Sequence, residues 1–247
     1  MAGTLLMLQR AGWAIHYLNV ANGNMGSSTI PPAKLARIRR TEARLACRLL
    51  GAAWHPPICD DLEIFYDSRT LRRVCAVIRS VGPTVILTHS PQDYMEDHMI
   101  TARLAVTAAF ARATPGYRTT PSRPPFPAPV TIYHASPHGM RDGLRRVLRP
   151  GAFVNTTPVH ATKTTALACH ESQRGWLDTT QDMDDYVRTM DSFSRNTGTL
   201  SGLFRHSEGW RRHLHYGFCA EDADPLRDAL GRDYLVSTEY ERGLEGG

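Results

Sequence analysis

The chain has 247 residues, 42% of them hydrophobic, which suffices for one substantial core, and α/β chains of this length commonly fold as a single unit. Five cysteines stand far apart with no C-x-x-C pair, which argues against a cysteine zinc site or a full disulfide framework and fits reduced thiols in a cytoplasm. No apolar run approaches the roughly 20 residues that cross a bilayer, and the net charge of +5 comes from arginines dispersed along helical segments such as RIRRTEAR (37–44) and GLRRVLR (143–149). The expectation is a soluble, cytoplasmic protein with no membrane and no nucleic-acid partner.

In chain order, AGTLLMLQR (2–10) reads as an apolar helix stopped at Gly12, and WAIHYLNV (13–20), ended by Asn22-Gly23, as a buried strand. A helix that feeds a strand is half of a βαβ crossover, so the preceding strand is expected upstream of Met1. Residues 33–50 form the clearest helix, with Leu35, Ile38, Leu45 and Leu49 at helical spacing on an expected core-facing stripe. Glu42 falls on that stripe, where a carboxylate has to be paired or used, and Arg39 is its nearest helical partner. LEIFYD (62–67) suggests a short strand, LRRVCAVIRSVG (71–82) an amphipathic helix, and TVILTH (84–89) a short apolar strand of a parallel sheet. After SPQDYMEDHM a helix runs to about Arg112. The stretch 114–129 holds six of the sixteen prolines and reads as a surface loop, near a site or at a subunit contact; VTIYHA (130–135) returns to strand. Helices follow near 164–174 and over about 181–194, the latter with Met183, Tyr186, Val187, Met190 and Phe193 on one face, and the final ERGLEGG is expected to fray. This order predicts an α/β fold, a three-layer, Rossmann-like, mostly parallel sheet flanked by helices, with its first strand missing.

The turn after 84–89 concentrates reactive side chains. His89, Asp93, Asp97 and His98 place two imidazoles and two carboxylates within ten residues, beyond the carboxyl end of a parallel strand, where ligands bind in open α/β sheets. Each alone has a structural alternative, Asp93 or Asp97 as a helix cap and His98 as a packed ring, but the four together point to a site. A catalytic zinc takes three nitrogen or oxygen ligands and keeps a position open, and one turn is not expected to supply all three.

Several segments, in order and over nearly the whole chain, resemble the PIG-L/LmbE-like zinc-dependent N-acetylglucosamine deacetylases. They are AGTLLMLQRAG (2–12), NVANGNMGSS (19–28), Arg39 with Glu42 followed by Leu50-Gly51, THSPQDYMEDH (88–98), KTTALACHESQ (163–173) and Ala220-Glu221. The resemblance implies one deacetylase domain over 1–247, zinc as cofactor with His98 as a metal ligand, and Asp97 and Asp93 as catalytic carboxylates, Asp97 steadying the nearby histidines. It implies further that Arg39 and Asp61, or Asp60 in its place, contact an N-acetylated sugar substrate. Met95 stands where some members carry a histidine that stabilises the oxyanion, which leaves His89, His134 and Tyr94 as candidates for that role. The family's AHPDD segment, source of two zinc ligands and the general base, is not in the sequence. On that basis an N-terminal truncation is expected, with His98 alone holding zinc very weakly and deacetylation weak or lost.

The implied reaction is removal of acetyl from an N-acetylglucosamine-type conjugate by zinc-activated water. The alternative is a non-catalytic sugar-binding or oligomer-forming homologue without metal. A nucleotide-binding loop at Gly23-Asn24-Met25-Gly26 is disfavoured, because the spacing is not GxGxxG and Pro31-Pro32 delays the next helix. The proline-rich arm and the late helices point to a homo-oligomer.

Overall fold

The structure, a computed structural model, describes residues 1–173 and 186–245. The elements are α1 (Ala2–Arg10), β1 (Ile15–Leu18), α2 (Pro32–Leu49), β2 (Ala52–His55), α3 (Ser68–Val81), β3 (Val85–Thr88), α4 (Glu96–Ala111), β4 (Thr131–Ala135), β5 (Ala152–Asn155), α5 (His160–Ala168), α6 (Tyr186–Ser201), β6 (Ser207–Arg212), α7 (Pro225–Leu230), β7 (Tyr234–Val236) and α8 (Thr238–Glu245). The α/β class is as expected. Strands β1 and β2 pair in parallel, as do β3 and β4, whereas β6 runs antiparallel to β4, so the five-stranded sheet of order β3-β4-β6-β5-β7 is mixed. The chain divides into two compact units, Met1–Glu63 with Phe153–Glu208, and Ile64–Ala152 with Gly209–Gly247.

In the first unit, α1 has no side-chain cap of its own. Its leading donors are met by Glu208 of β6, whose carboxylate accepts the Gly3 N–H at 2.9 Å and the Thr4 N–H and Oγ1–H at 2.8 Å. Lys163 of α5 reaches the same carboxylate at 2.9 Å and donates to Ser194 of α6 at 2.9 Å. Burial opposes the charge, but the Lys163 ammonium and the Thr4 N–H outweigh it and hold the Glu208 carboxyl well below its usual range.

Helix α2 corrects the expected stripe. It buries Leu35, Arg39, Ala43, Ala46 and Cys47, while Leu45 and Leu49 are 45% and 38% exposed. The small side chains let α2 pack closely on α5 and β2, a face that larger leucines would hold apart. Nor does Glu42 hydrogen-bond Arg39. Its carboxylate accepts the Ser172 N–H at 2.8 Å and hydroxyl at 2.7 Å, while Arg39 donates to the Gly26 carbonyl at 2.9 Å and lies 3.6 Å from Asp61. The guanidinium fills the inside of loop 22–26. A Cβ on Gly26 would stand 2.6 Å from its Nη2 and displace it, and Gly23 has φ of +77°, a conformation that favours glycine.

The segment 62–67, which spans the end of the first unit at Glu63 and the start of the second, does not form a strand. Leu62 has φ of 62° and is 68% exposed, and Asp67 caps α3 by accepting the Thr70 N–H at 2.8 Å. The proline-rich segment is held by two buried arginines. Arg79 donates to the carbonyls of Arg112, Thr114 and Arg123 at 2.7–3.0 Å, and Arg112 to those of Ala128 and Phe218 at 2.9 and 3.0 Å. Both arginines are buried, at 7% and 4% exposure. Helix α5 begins at His160 and ends at Ala168, earlier than read from the sequence, and α6 buries Tyr186, Ser194, Thr197 and Gly198. Met183 lies outside the described residues. Of the tail expected to fray, 241–245 are helical as part of α8, and 246–247 lie outside the described residues.

Removing one partner of a buried ion pair strands the other, so Glu208→Ala is expected to lower stability by about 3–5 kcal/mol. Leu45→Ala, on the exposed side of α2, should stay within about 0.5 kcal/mol. Urea denaturation of the two variants checks both values.

Candidate metal centre

In the second unit, β3 stops at Thr88 and the chain turns before α4. Ser90 Oγ accepts the Gln92 N–H at 3.1 Å and a bond from Arg211 at 2.7 Å, and Asp93 Oδ1 accepts the Met95 N–H at 3.2 Å. Those side-chain turns set the direction in which α4 starts, and Glu96 and Asp97 give its first turn the acidic character that the helix dipole favours.

The turn gathers His89, Asp93 and His98, whose ligand atoms all lie within 4.8 Å of one another. His98 Nδ1 is 3.2 Å from Asp93 Oδ1 but makes no aligned hydrogen bond. The His89 and His98 rings stack at 4.3 Å between centroids and 7° between planes, and Tyr94 meets His98 edge-on at 5.9 Å. The separation of His98 Nδ1 and Asp93 Oδ1 is one that two ligands of a common cation also have. Burial, then the neighbouring His98, pushes the His89 imidazole down to about 4, so it is neutral near pH 7. Burial opposes ionisation of Asp93, but the contacts with His98 and the Met95 N–H prevail and hold its carboxyl below the usual range. Two imidazole nitrogens and one anionic oxygen make a donor set that fits a zinc-type ion.

His134 of β4 supports this turn. Its Nδ1 is 2.8 Å from the His89 carbonyl, which can only accept, so the proton sits on Nδ1 and Nε2 accepts from His213 Nδ1 at 3.0 Å. Both ring nitrogens are therefore engaged, and His134 is not a free donor to replace the family histidine at Met95. Its role is to hold the backbone of His89.

Of the residues singled out from sequence, Asp93 and His98 come together. His98 does not stand alone as a candidate ligand, since His89 lies in the same group, and the carboxylate in contact with it is Asp93. Asp97 is buried in the first turn of α4, outside that triplet. Arg39 and Asp61 pair in the first unit. His89 was visible in the sequence as one of four clustered polar residues, but nothing in its spacing marked it as a ligand.

His89 and His134 have an ordinary value near 6.5 and a folded value of about 4. Between those limits the unfolded chain binds more protons, so stability is complete above pH 6.5 and falls as the pH drops toward 4. Denaturant midpoints measured across that range should show the decline, and His134→Asn, which keeps a donor for the His89 carbonyl without titrating, should make it shallower.

A family model described as PIG-L: GlcNAc-PI de-N-acetylase matches residues 1–109. The 4-oxalmesaconate hydratase of Pseudomonas putida is 30% identical over 179 residues, 69% of this chain and 67% of that protein. Among solved structures, a 4-carboxy-2-hydroxymuconate hydratase from Pseudomonas putida has a TM-score of 0.67 at 24% identity, covering 85% of this chain and 88% of its own. The N,N'-diacetylchitobiose deacetylase of Pyrococcus horikoshii has a TM-score of 0.71 at 21% identity, covering 92% of this chain and 82% of its own. At those identities the structural likenesses speak for the fold. Together with the family model and the relative at 30% identity, they establish that the chain belongs to the PIG-L family.

Proposed function

We propose that the protein is a zinc-dependent enzyme that adds water to the amide carbonyl of an N-acetylglucosamine-type conjugate and releases acetate. The observation that supports this most is the convergence of His89, Asp93 and His98 beyond the end of a parallel strand. His98, Asp93 and His89 would hold the ion, which supplies Lewis acidity toward a carbonyl oxygen and a water acidified toward neutral pH. The side chains have separate tasks. His89 enters as a neutral imidazole fixed through its own carbonyl by His134, and Asp93 brings the negative charge. Asp97, buried beside His98, is assigned as the carboxylate that takes the water's proton and passes it to the departing amine. Arg39 and Asp61 serve the substrate through loop 22–26, whose shape they fix.

A second reading has a specific observation in its favour, the 30% identity to a hydratase. Hydration of a carbon–carbon double bond in an unsaturated acid also needs a water made nucleophilic and a proton moved by a carboxylate, so the same donor set serves it.

The two readings are separated by assaying the zinc-loaded chain for acetate release from N-acetyl sugars and for loss of ultraviolet absorbance from a conjugated unsaturated dicarboxylate. Acetate release is the expected result. Absorbance loss alone moves the assignment to hydration, and inactivity on both panels refutes the enzymatic reading in favour of a binding homologue. Asp97→Asn is expected to lower kcat by about 10²–10⁴-fold with zinc retained, whereas His98→Ala should lower the metal content as well.

A further inference from the structure

The first unit holds a second group of metal-type donors, unrelated to any motif in the sequence. His160 opens α5, Asp191 lies in α6, and His206 immediately precedes β6; one ligand atom from each lies within 4.8 Å of the others. Asp191 Oδ1 is 2.8 Å from His160 Nε2 and 3.4 Å from His206 Nε2. Ligand atoms on a tetrahedral zinc-type ion stand about 3.3 Å apart, so these separations need little adjustment. The other oxygen of Asp191 accepts from Arg195 Nε at 2.7 Å, one turn along the same helix. That bond fixes the carboxylate and leaves Oδ1 facing the two rings.

His206 supplies an independent observation. It is only 4% exposed, and neither of its ring nitrogens has a hydrogen-bond partner. Its ring stacks on that of His160 at 3.8 Å between centroids and 11° between planes, which aligns the two Nε2 atoms on the same carboxylate oxygen. An imidazole kept only for packing would have at least one nitrogen satisfied. Burial, then the neighbouring His160, favours the neutral ring, the form that ligates.

We propose that His160, Asp191 and His206 form a second binding site for a divalent transition ion of the zinc class, one that joins α5, α6 and the start of β6. Two imidazoles and one carboxylate select zinc, cobalt or nickel over calcium or magnesium, which take oxygen ligands. Asp191 is partly exposed, so the fourth position opens to solvent and takes water. Three elements distant in sequence are bridged, and the site's effect is on stability, independent of the reaction at His98.

The test uses the full chain, stripped with a chelator and re-equilibrated with zinc alone, with bound metal measured by elemental mass spectrometry and affinity by competition with a chromophoric chelator. The His98→Ala chain is expected to keep one equivalent of zinc, and zinc should raise its Tm. Adding Asp191→Asn or His206→Gln should weaken that binding at least about tenfold and remove the Tm shift. Asp191→Asn on the half-exposed face of α6 changes one atom and leaves the fold intact, so unfolding does not confound the result. In the chain with His98 intact, Asp191→Asn should remove one equivalent from whatever number is bound, which separates this site from the one at His98. If the His98→Ala chain takes up no zinc, or if Asp191→Asn and His206→Gln leave stoichiometry and affinity unchanged, the site is refuted.

Discussion

A buried carboxylate organises the first unit. Glu208 accepts from two backbone N–H groups and a hydroxyl at the start of α1 and from the Lys163 ammonium of α5, and Lys163 in turn reaches Ser194 of α6. Taking a carboxylate out of water is tolerated only when its lone pairs are met by donors, and here they are. The close approach also explains Gly3, where a Cβ would run into Thr156 and crowd the Glu208 oxygen at 3.1 Å. Helix α1, which lacks a cap of its own, thus starts from a side chain far away in sequence.

The same principle governs the arginines. Arg39, Arg79 and Arg112 are buried, and the planar fork of each donates to backbone carbonyls of loops that have no secondary structure to satisfy them. Positive charge in this chain therefore builds loops as well as covering helix faces. The family-like segments around Arg39, Glu42, Lys163 and Ser172 are accounted for in this way: Arg39 shapes loop 22–26, Glu42 receives Ser172, and Lys163 serves Glu208.

At the candidate metal centre, an Asx turn and a serine turn aim His89, Asp93 and His98 at one another, and His134 fixes the backbone behind them. What such a centre contributes is common to amide hydrolysis and to hydration of a double bond, because both begin with a water that has lost a proton.

The sequence by itself determined the features whose cause is local. Helices α1, α2 and α3 were legible from apolar periodicity and glycine stops, β3 and β4 from short branched runs, and the Asp93–His98 pair because one turn carries both residues. Only the tertiary structure decided what depends on partners from elsewhere in the chain. Strands β2, β5, β6 and β7 have three to six residues each, and β6, SEGWRR, looks polar; such segments become strands because neighbours pair with them. Which face of α2 turns inward was set by the close fit of small residues and by Arg39 finding Asp61 and Gly26, so the leucine pattern misled. His160, Asp191 and His206 have no shared spacing to read, since three separate elements bring them together; long-range packing creates such a group, and local pattern cannot encode it.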